Sequence, residues 1–315
     1  VFQILLPENA CYCLILYGDT ASMLKTETPN SEHTTLDQYP AEQLVNAFVD
    51  DQFNAVAAVR AAAPDIARAV EEAVPRINAG GRLIYAGAGT SGRLGLLDSV
   101  ELYPTFSWPH ERAIAVLAGG AEALYKAVEG AEDSQELGAA DIARLDVAVN
   151  DVVLVLAASG TTPYALGAIA EAKQRGALTI GISNNPGALV TAAAEIGITL
   201  DTGSEIISGS TRLKAGTSQK ITLNTFSSAL MVRLNKVYSN LMVDVKPTNK
   251  KLIARTIRLT MLATGCDEAL AELTLEACGY HVKTAIVAIK RRVAVNVARE
   301  LLQAVDGSVR SALIS

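Results

Sequence analysis

The chain has 315 residues, a net charge of −6, a half-hydrophobic composition with only 5% aromatics, and 23 glycines. Such a chain can bury a large, mostly aliphatic core in one large or two modest domains. With no long basic run it has no nucleic acid as a main partner, although a local field can still hold a small anion.

Residues 1–25 read as an atypical N-terminal extension. The apolar stretch at 9–18 lacks a preceding basic run and a following cleavage site, so it is not a signal peptide. No run of 18 apolar residues occurs, and no membrane-spanning segment is expected. Cys11, Cys13, Cys266 and Cys278 match no zinc spacing, which points to a reduced, cytoplasmic protein. Residues 26–80 form an arm followed by helices. Positions 26–40 are polar with two prolines, and 41–79 carry apolar residues at helical intervals. Pro64 and Pro75 mark starts or kinks, and Gly80-Gly81 ends the pattern.

Residues 81–245 are expected to fold as an α/β domain. Short apolar runs at 83–86, 113–117, 152–157, 178–182 and, more weakly, 196–200 alternate with Gly/Ser/Asn loops and helical patterns, one of them at 121–128. That alternation predicts a three-layer fold around a five-stranded parallel sheet. Residues 213–234 predict one long helix packed on the sheet. Residues 246–315 form a C-terminal helical region, with helices over 267–277, 280–291, 293–304 and 307–314.

In a parallel sheet, ligands bind beyond the carboxyl ends of the strands. Two loops lie there, Gly87-Ala88-Gly89-Thr90-Ser91-Gly92 and Ala158-Ser159-Gly160-Thr161-Thr162-Pro163. Glycines let backbone N–H groups approach an anion, hydroxyls add donors, and the following helix N-terminus adds a favourable field. The competing reading is a pair of tight turns filled by capping hydroxyls. The first loop matches a dinucleotide fingerprint in letters, but no acidic strand end follows about 20 residues on. No Walker lysine is present.

Glu101 follows Asp98 by one helical turn, on one helix face. Tyr103, Phe106 and Trp108 come next, and such a wall raises a carboxyl pKa by desolvation and suits a general acid. A surface glutamate is the rival reading. The run Glu129-Gly130-Ala131-Glu132-Asp133-Ser134 either turns carboxylates inward at a glycine break or forms a solvated charge run. His33, His110 and His281 form no metal set, and no Gly-x-Ser-x-Gly elbow is present.

The segments LIYAGAGTSGRLGLLDSVE, AVEGAEDS, TPYALG, GSTRLKAGTSQK, NLMVDVKPTNKKL and ATGC closely resemble the N-acetylmuramic acid 6-phosphate etherases, of the sugar isomerase domain superfamily. The resemblance runs in order from about Thr26 to near the end of the chain. It implies a cytoplasmic homodimeric lyase, with no cofactor or metal, that removes the D-lactyl ether of its sugar 6-phosphate by elimination and hydration. It implies catalysis by Glu101 as acid and Glu132 as the second glutamate, the base at C2. Phosphate would be held by Gly89, Thr90, Ser91, Ser159, Gly160 and Thr162, with Ser210, Arg212 and Lys214 contributing from the GSTRLKAG segment. For Arg212 and Lys214, a helix start held by ion pairs is the alternative.

The chain departs from the family at Thr161, where arginine is usual, at Asn184, where cysteine is common, and at Leu102-Tyr103, where Cys-Pro is found. A phosphosugar isomerase or a non-catalytic sugar-phosphate-binding regulator shares the fold. Retention of both glutamates favours the etherase.

Overall fold

The computed structural model describes residues 24–314 apart from 246 and 248. The reading of residues 9–18, with Cys11 and Cys13, lies outside the described residues. Two helices follow the arm, α1 (Ala41–Ala61) and α2 (Ala63–Asn78). Pro64 sits in the first turn of α2, where its missing N–H removes no helical bond. Pro75 lies within the last turn.

The sheet strands are β1 (Leu83–Gly87), β2 (Ala113–Leu117), β3 (Val152–Leu156), β4 (Leu178–Ser183) and β5 (Ile196–Thr199). The helices between and after them are α3 (Gly89–Phe106), α4 (Gln135–Ala143), α5 (Pro163–Gln174), α6 (Leu189–Ala193) and α7 (Lys214–Arg233). The five strands are parallel in the order β2-β1-β3-β4-β5. The chain leaves β1 for β2 on one side and then crosses to β3 on the other. The switch of direction therefore falls between β1 and β3, where a crevice opens at the carboxyl ends of the strands.

Strand periodicity assigns the two faces. Leu83 and Tyr85 of β1, with Val152, Leu154 and Leu156 of β3, pack with Ile66, Ile77, Leu102, Phe226 and Leu230 from α2, α3 and α7. Ile84 and Ala86, with Val153 and Val155, pack with Ile142, Ala165, Ile169 and Val190 from α4, α5 and α6. Every residue of β1, β3 and β4 is buried, which explains the unbroken apolar runs of β1 and β3, while β4 also buries Thr179 and Ser183.

The structure corrects the helix expected over 121–128. A 3-10 turn covers Gly120–Leu124, and a second covers Ala131–Asp133. Gly119, Gly120 and Gly130 have φ of 85°, 66° and 71°, so the backbone turns where a helix would have to continue. A hairpin of two-residue strands, β6 (Val237–Tyr238) and β7 (Leu241–Met242), is too short to leave a periodic signature.

The C-terminal helices are α8 (Lys250–Thr264), α9 (Glu268–Ala277), α10 (Val282–Arg291), α11 (Val295–Gln303) and α12 (Val309–Ala312). They form their own core around Leu259, Leu275, Val282, Ile286 and Leu302. Asp244 joins the two regions, with Lys236 Nζ at 2.8 Å and Lys283 Nζ at 2.7 Å. Burial pushes the Lys283 ammonium pKa down, and the Asp244 carboxylate opposes that shift. No helix among the described residues is long and apolar enough to cross a membrane.

The approach of α4 to α5 is set by a reciprocal glycine contact. A Cβ at Gly138 would lie 2.0 Å from the Tyr164 carbonyl oxygen, and one at Gly167 would lie 1.9 Å from that of Gln135. Tyr164 reinforces the crossing by donating its hydroxyl to Asp141 at 2.6 Å. Gly167→Ala is expected to cost roughly 1–3 kcal/mol of stability through overpacking. Urea unfolding measures it, and an unchanged midpoint would show that α4 yields freely.

Candidate active site

At the crevice between β1 and β3 lies a cavity of about 350 Å³. Its floor is formed by the two loops singled out in the sequence. Gly89, Thr90, Ser91, Ser159 and Thr162 all line it, and Gly160 lies in the second loop. A larger cleft of about 730 Å³ lies in the C-terminal helices, and its lining contains no carboxylate.

Both loops lead directly into helices whose N-termini carry no side-chain cap. Ala88 at the start of α3 has no acceptor, and Thr162 at the start of α5 makes no capping bond. The reading of these loops as turns filled by capping hydroxyls holds within the second loop, where Ser159 Oγ accepts the Thr161 N–H, but not at the N-cap of either helix. Instead, the first-turn N–H groups and the hydroxyls converge on one cavity, an arrangement suited to an anion. Ser159 Oγ accepts the Thr161 N–H at 3.2 Å and lies 3.4 Å from Thr162 Oγ1. Gly160 has φ of 74°, and a Cβ there would lie 2.3 Å from Ala188 Cβ, so glycine is required twice over. Gly92 serves close packing, since a Cβ would come within 2.6 Å of the Gly87 carbonyl oxygen.

Glu132 and Asp133 also line the cavity. They ride on the 3-10 turn after Gly130. Ala131 anchors that turn by packing with Ala118 and Tyr164. Arg93 of α3 donates to the Ala123 carbonyl at 3.0 and 2.7 Å, which ties down the same connection. The glycine break thus turns these acidic groups toward the site.

The other sequence candidates lie elsewhere. Lys214 is buried, with Nζ 2.6 Å from Asp51 Oδ1, while Glu205 accepts the backbone N–H groups of Lys214 and Ala215 at 3.1 and 2.9 Å. The alternative of a helix start held by an ion pair describes Lys214. Ser210 and the exposed Arg212 are not among the lining residues, whereas Thr211 between them is.

Glu101 is exposed on α3, about 18 Å along the helix axis from Gly89 at ~1.5 Å per residue. The expected aromatic wall around it is absent. Phe106 and Trp108 belong to the core under the sheet, where Trp108 Nε1 donates to the Arg112 carbonyl at 3.1 Å, and Tyr103 stacks on His110. Asp98 and Glu101 are neighbours one turn apart on α3, as the spacing predicts, but their surroundings differ. Asp98 is buried and accepts from Tyr85 Oη at 2.9 Å and Ser227 Oγ at 3.2 Å. Burial raises the Asp98 carboxyl pKa above its ordinary value, with those two hydrogen bonds pulling the other way.

Thr211, from the GSTRLKAG segment that the resemblance points to, lines the cavity, and so does Glu27, which nothing in the local sequence singles out. Glu27 comes from the N-terminal arm, fastened to the site by residues far along the chain. The lining includes no lysine, arginine or histidine, as the threonine at position 161 foreshadows. Among the described residues, no group of three or more His, Cys, Asp or Glu side chains is placed to hold a metal ion.

Ser159→Ala is expected to weaken binding of inorganic phosphate by roughly 10- to 150-fold, the equivalent of one charge-assisted hydrogen bond. Titration calorimetry measures the loss, with a thermal melt confirming the fold. Unchanged affinity would remove Ser159 from the anion site.

Comparison with known proteins gives a consistent grouping. Residues 65–173 match the model of the glucokinase regulatory protein N-terminal SIS domain. An N-acetylmuramic acid 6-phosphate etherase of Deinococcus radiodurans is 52% identical over 289 residues, covering 92% of this chain and 95% of the relative. The etherase of Salmonella enteritidis is 46% identical over 290 residues, covering 92% and 98%. Among solved structures, a phosphoheptose isomerase from Francisella tularensis aligns with a TM-score of 0.46 and 16% identity, over 61% of this chain and 98% of that one.

Proposed function

Because the chain belongs to the N-acetylmuramic acid 6-phosphate etherases, we propose that its cavity between β1 and β3 holds the sugar 6-phosphate and that Glu132 begins the cleavage there. The enzyme is an N-acetylmuramic acid 6-phosphate etherase. The observation that supports this site is the convergence of two uncapped helix N-termini, a hydroxyl loop and Glu132 on one cavity.

The phosphate sits against Ser159, Thr162 and the start of α5, with Thr90 and Ser91 beside it. An alkyl ether resists direct hydrolysis, so the reaction proceeds through the open-chain aldehyde, where the C1 carbonyl acidifies the C2 proton. Glu132 removes that proton. The C2 electron pair forms the C2–C3 double bond as the C3–O bond breaks, and Glu101 protonates the departing ether oxygen. D-lactate leaves, water adds across the unsaturated aldehyde at C3, and N-acetylglucosamine 6-phosphate results. Positioned proton-transfer groups of this kind each contribute roughly 100- to 10,000-fold.

Glu101 lies outside the cavity of its own chain, and the homodimer resolves this. Exposed Leu97 and Val100 flank Glu101 on α3, and Val45, Val49, Phe53 and Val56 expose a stripe along α1. Both helices pack beside α7, and an apolar groove of about 580 Å³ runs between α1, α2 and α7. A second copy covering this face buries the stripe and carries Glu101 toward the partner's cavity, with each site drawing on both chains. The enzyme works in the cytoplasm, in keeping with its free Cys266 and Cys278 thiols.

The glutamates are separated by proton NMR of the substrate in heavy water. Glu101→Gln is expected to lose lactate release and keep exchange of the C2 proton, and Glu132→Gln to lose both. Mixing the two inactive variants restores about a quarter of wild-type activity if each site takes one glutamate from each chain. Reversed exchange behaviour would swap the roles, and undiminished lactate release in both variants would place catalysis elsewhere. Wild-type isomerisation of the sugar phosphate without lactate would mark a phosphosugar isomerase.

A further inference from the structure

Glu27 enters the cavity on a part of the chain that is fastened to the phosphate loop. Thr26, just before it, is fully buried. Its N–H donates to Asn185 Oδ1 at 3.2 Å, and its hydroxyl accepts Asn185 Nδ2 at 2.9 Å. The same Asn185 amide donates to the carbonyls of Ala158 and Ser159, each at 3.1 Å. One buried side chain therefore locks the arm to the backbone of the Ser159 loop. Two further bonds hold the arm from the other side, Gly209 N–H to the Thr26 carbonyl at 3.2 Å and Asn30 N–H to Ser208 Oγ at 3.1 Å. The Glu27 carboxylate lies over Gly209, where a Cβ would come within 3.3 Å of Oε2. The arm's surface ion pair uses Lys25, with Asp201 at 2.7 Å, and leaves Glu27 to the cavity.

Strand order fixes where Glu27 meets the sugar. Across the carboxyl edge of the sheet, the order is the Glu132 connection after β2, the Thr90 loop after β1, the Ser159 loop after β3, and Asn185 with the arm after β4. Glu132 and Glu27 thus enter from opposite sides, with the phosphate loop between Glu27 and the centre. A carboxylate at that place cannot bind the phosphate, which it repels. It accepts hydrogen bonds from neutral donors on the carbons nearest the phosphate. In the pyranose, C5 bears the ring oxygen, which is an acceptor only. In the open-chain aldehyde, C5 bears a hydroxyl, which donates.

We infer that Glu27 is a specificity-determining residue of the etherase site, its carboxylate accepting a hydrogen bond from the hydroxyls next to the phosphate and thereby selecting the open-chain sugar over the ring. This rests on the etherase reading of the cavity. It assigns the arm a task in the reaction, since only the open chain carries the carbonyl that acidifies C2. The step is one of binding, and no proton changes owner.

The test compares two probes, N-acetylglucosamine 6-phosphate, which is mainly cyclic, and its borohydride-reduced alditol 6-phosphate, an open chain with a free C5 hydroxyl. Dissociation constants are measured for wild type, Glu27→Gln, Glu27→Ala and Glu27→Asp, with inorganic phosphate as a control and melting temperature as a fold check. Glu27→Ala is expected to lose at least about tenfold in alditol affinity, the loss of one hydrogen bond to a charged group, with less than about threefold change for the cyclic sugar and for phosphate. Glu27→Gln, which keeps the shape and adds a donor for the ring oxygen, lowers the alditol preference, and Glu27→Asp retains part of it. Equal losses for both probes, or an unmoved preference in Gln and Ala alike, would overturn the inference. The etherase reading fails separately, if wild type releases no D-lactate, and binding selectivity is measured without turnover.

Discussion

The site depends on the single carboxyl edge that a parallel sheet presents. All five strands end on the same side, so each successive loop and helix start is delivered to one rim. The reversal between β1 and β3 then parts two of those loops and leaves room between them. The starts of α3 and α5 face that room. Ala88 and Thr162 leave both of them open. Open helix starts of this kind suit an anion, which completes a helix in the way a capping serine or aspartate does. Elsewhere in the chain Ser134, Asn249, Asp267, His281 and Ser308 cap the helices that follow them, while α1, α2, α6 and α11 also start without a side-chain cap. What sets α3 and α5 apart is that their starts share one cavity.

Close packing turns that rim into a defined cavity. The Gly138–Gly167 contact holds α4 against α5, and the turn bearing Glu132 is sewn to the start of α4 and to Tyr164 of α5. Glu132 and the Ser159 loop are therefore held by the same packed elements, although 27 positions separate Glu132 from Ser159. The Asn184-Asn185 pair does comparable work on the next strand. Asn184 turns inward, donating to the Leu200 carbonyl at 3.2 Å and Ser218 Oγ at 2.9 Å and accepting from Gln219 Nε2 at 3.0 Å. Where the family commonly has cysteine, this chain thus has a buried amide bound to β5 and α7, well satisfied and away from the cavity. Asn185 turns the other way, to the arm.

What the sequence made legible was what its local patterns control. The buried strands, the glycine loops and the long α7 helix could each be read from a window of a few residues, because burial on both faces and helix periodicity are local signatures. The resemblance supplied the glutamates. Lys214 and Trp108 were misplaced for a common reason. Each sits beside a loop or helix end in sequence, but its surroundings are set by distant elements. Asp51 of α1 claims Lys214, and the core beneath the sheet claims Trp108. Glu27 was invisible for the same reason, since the residues that fasten its arm to the site lie 158 to 182 places further on. Gly119 and Gly120 show a different failure. Alanine-rich spacing suggested a helix, and the positive φ of the paired glycines overruled it.

The fastening of the arm also sets an order of events as the chain folds. Thr26 needs Asn185 and Gly209, and Asn30 needs Ser208, so the arm waits for contacts that appear only when two thirds of the chain is present. Contacts across such spans carry the largest loop-closure cost and form late. The sheet can assemble from neighbouring β-α units before then, with the Ser159 loop already shaped by Gly160. The arm closes over it afterwards. A chain caught before that point has a core and both glycine loops but no finished rim, so the last wall of the cavity to close is the one whose residues were made early.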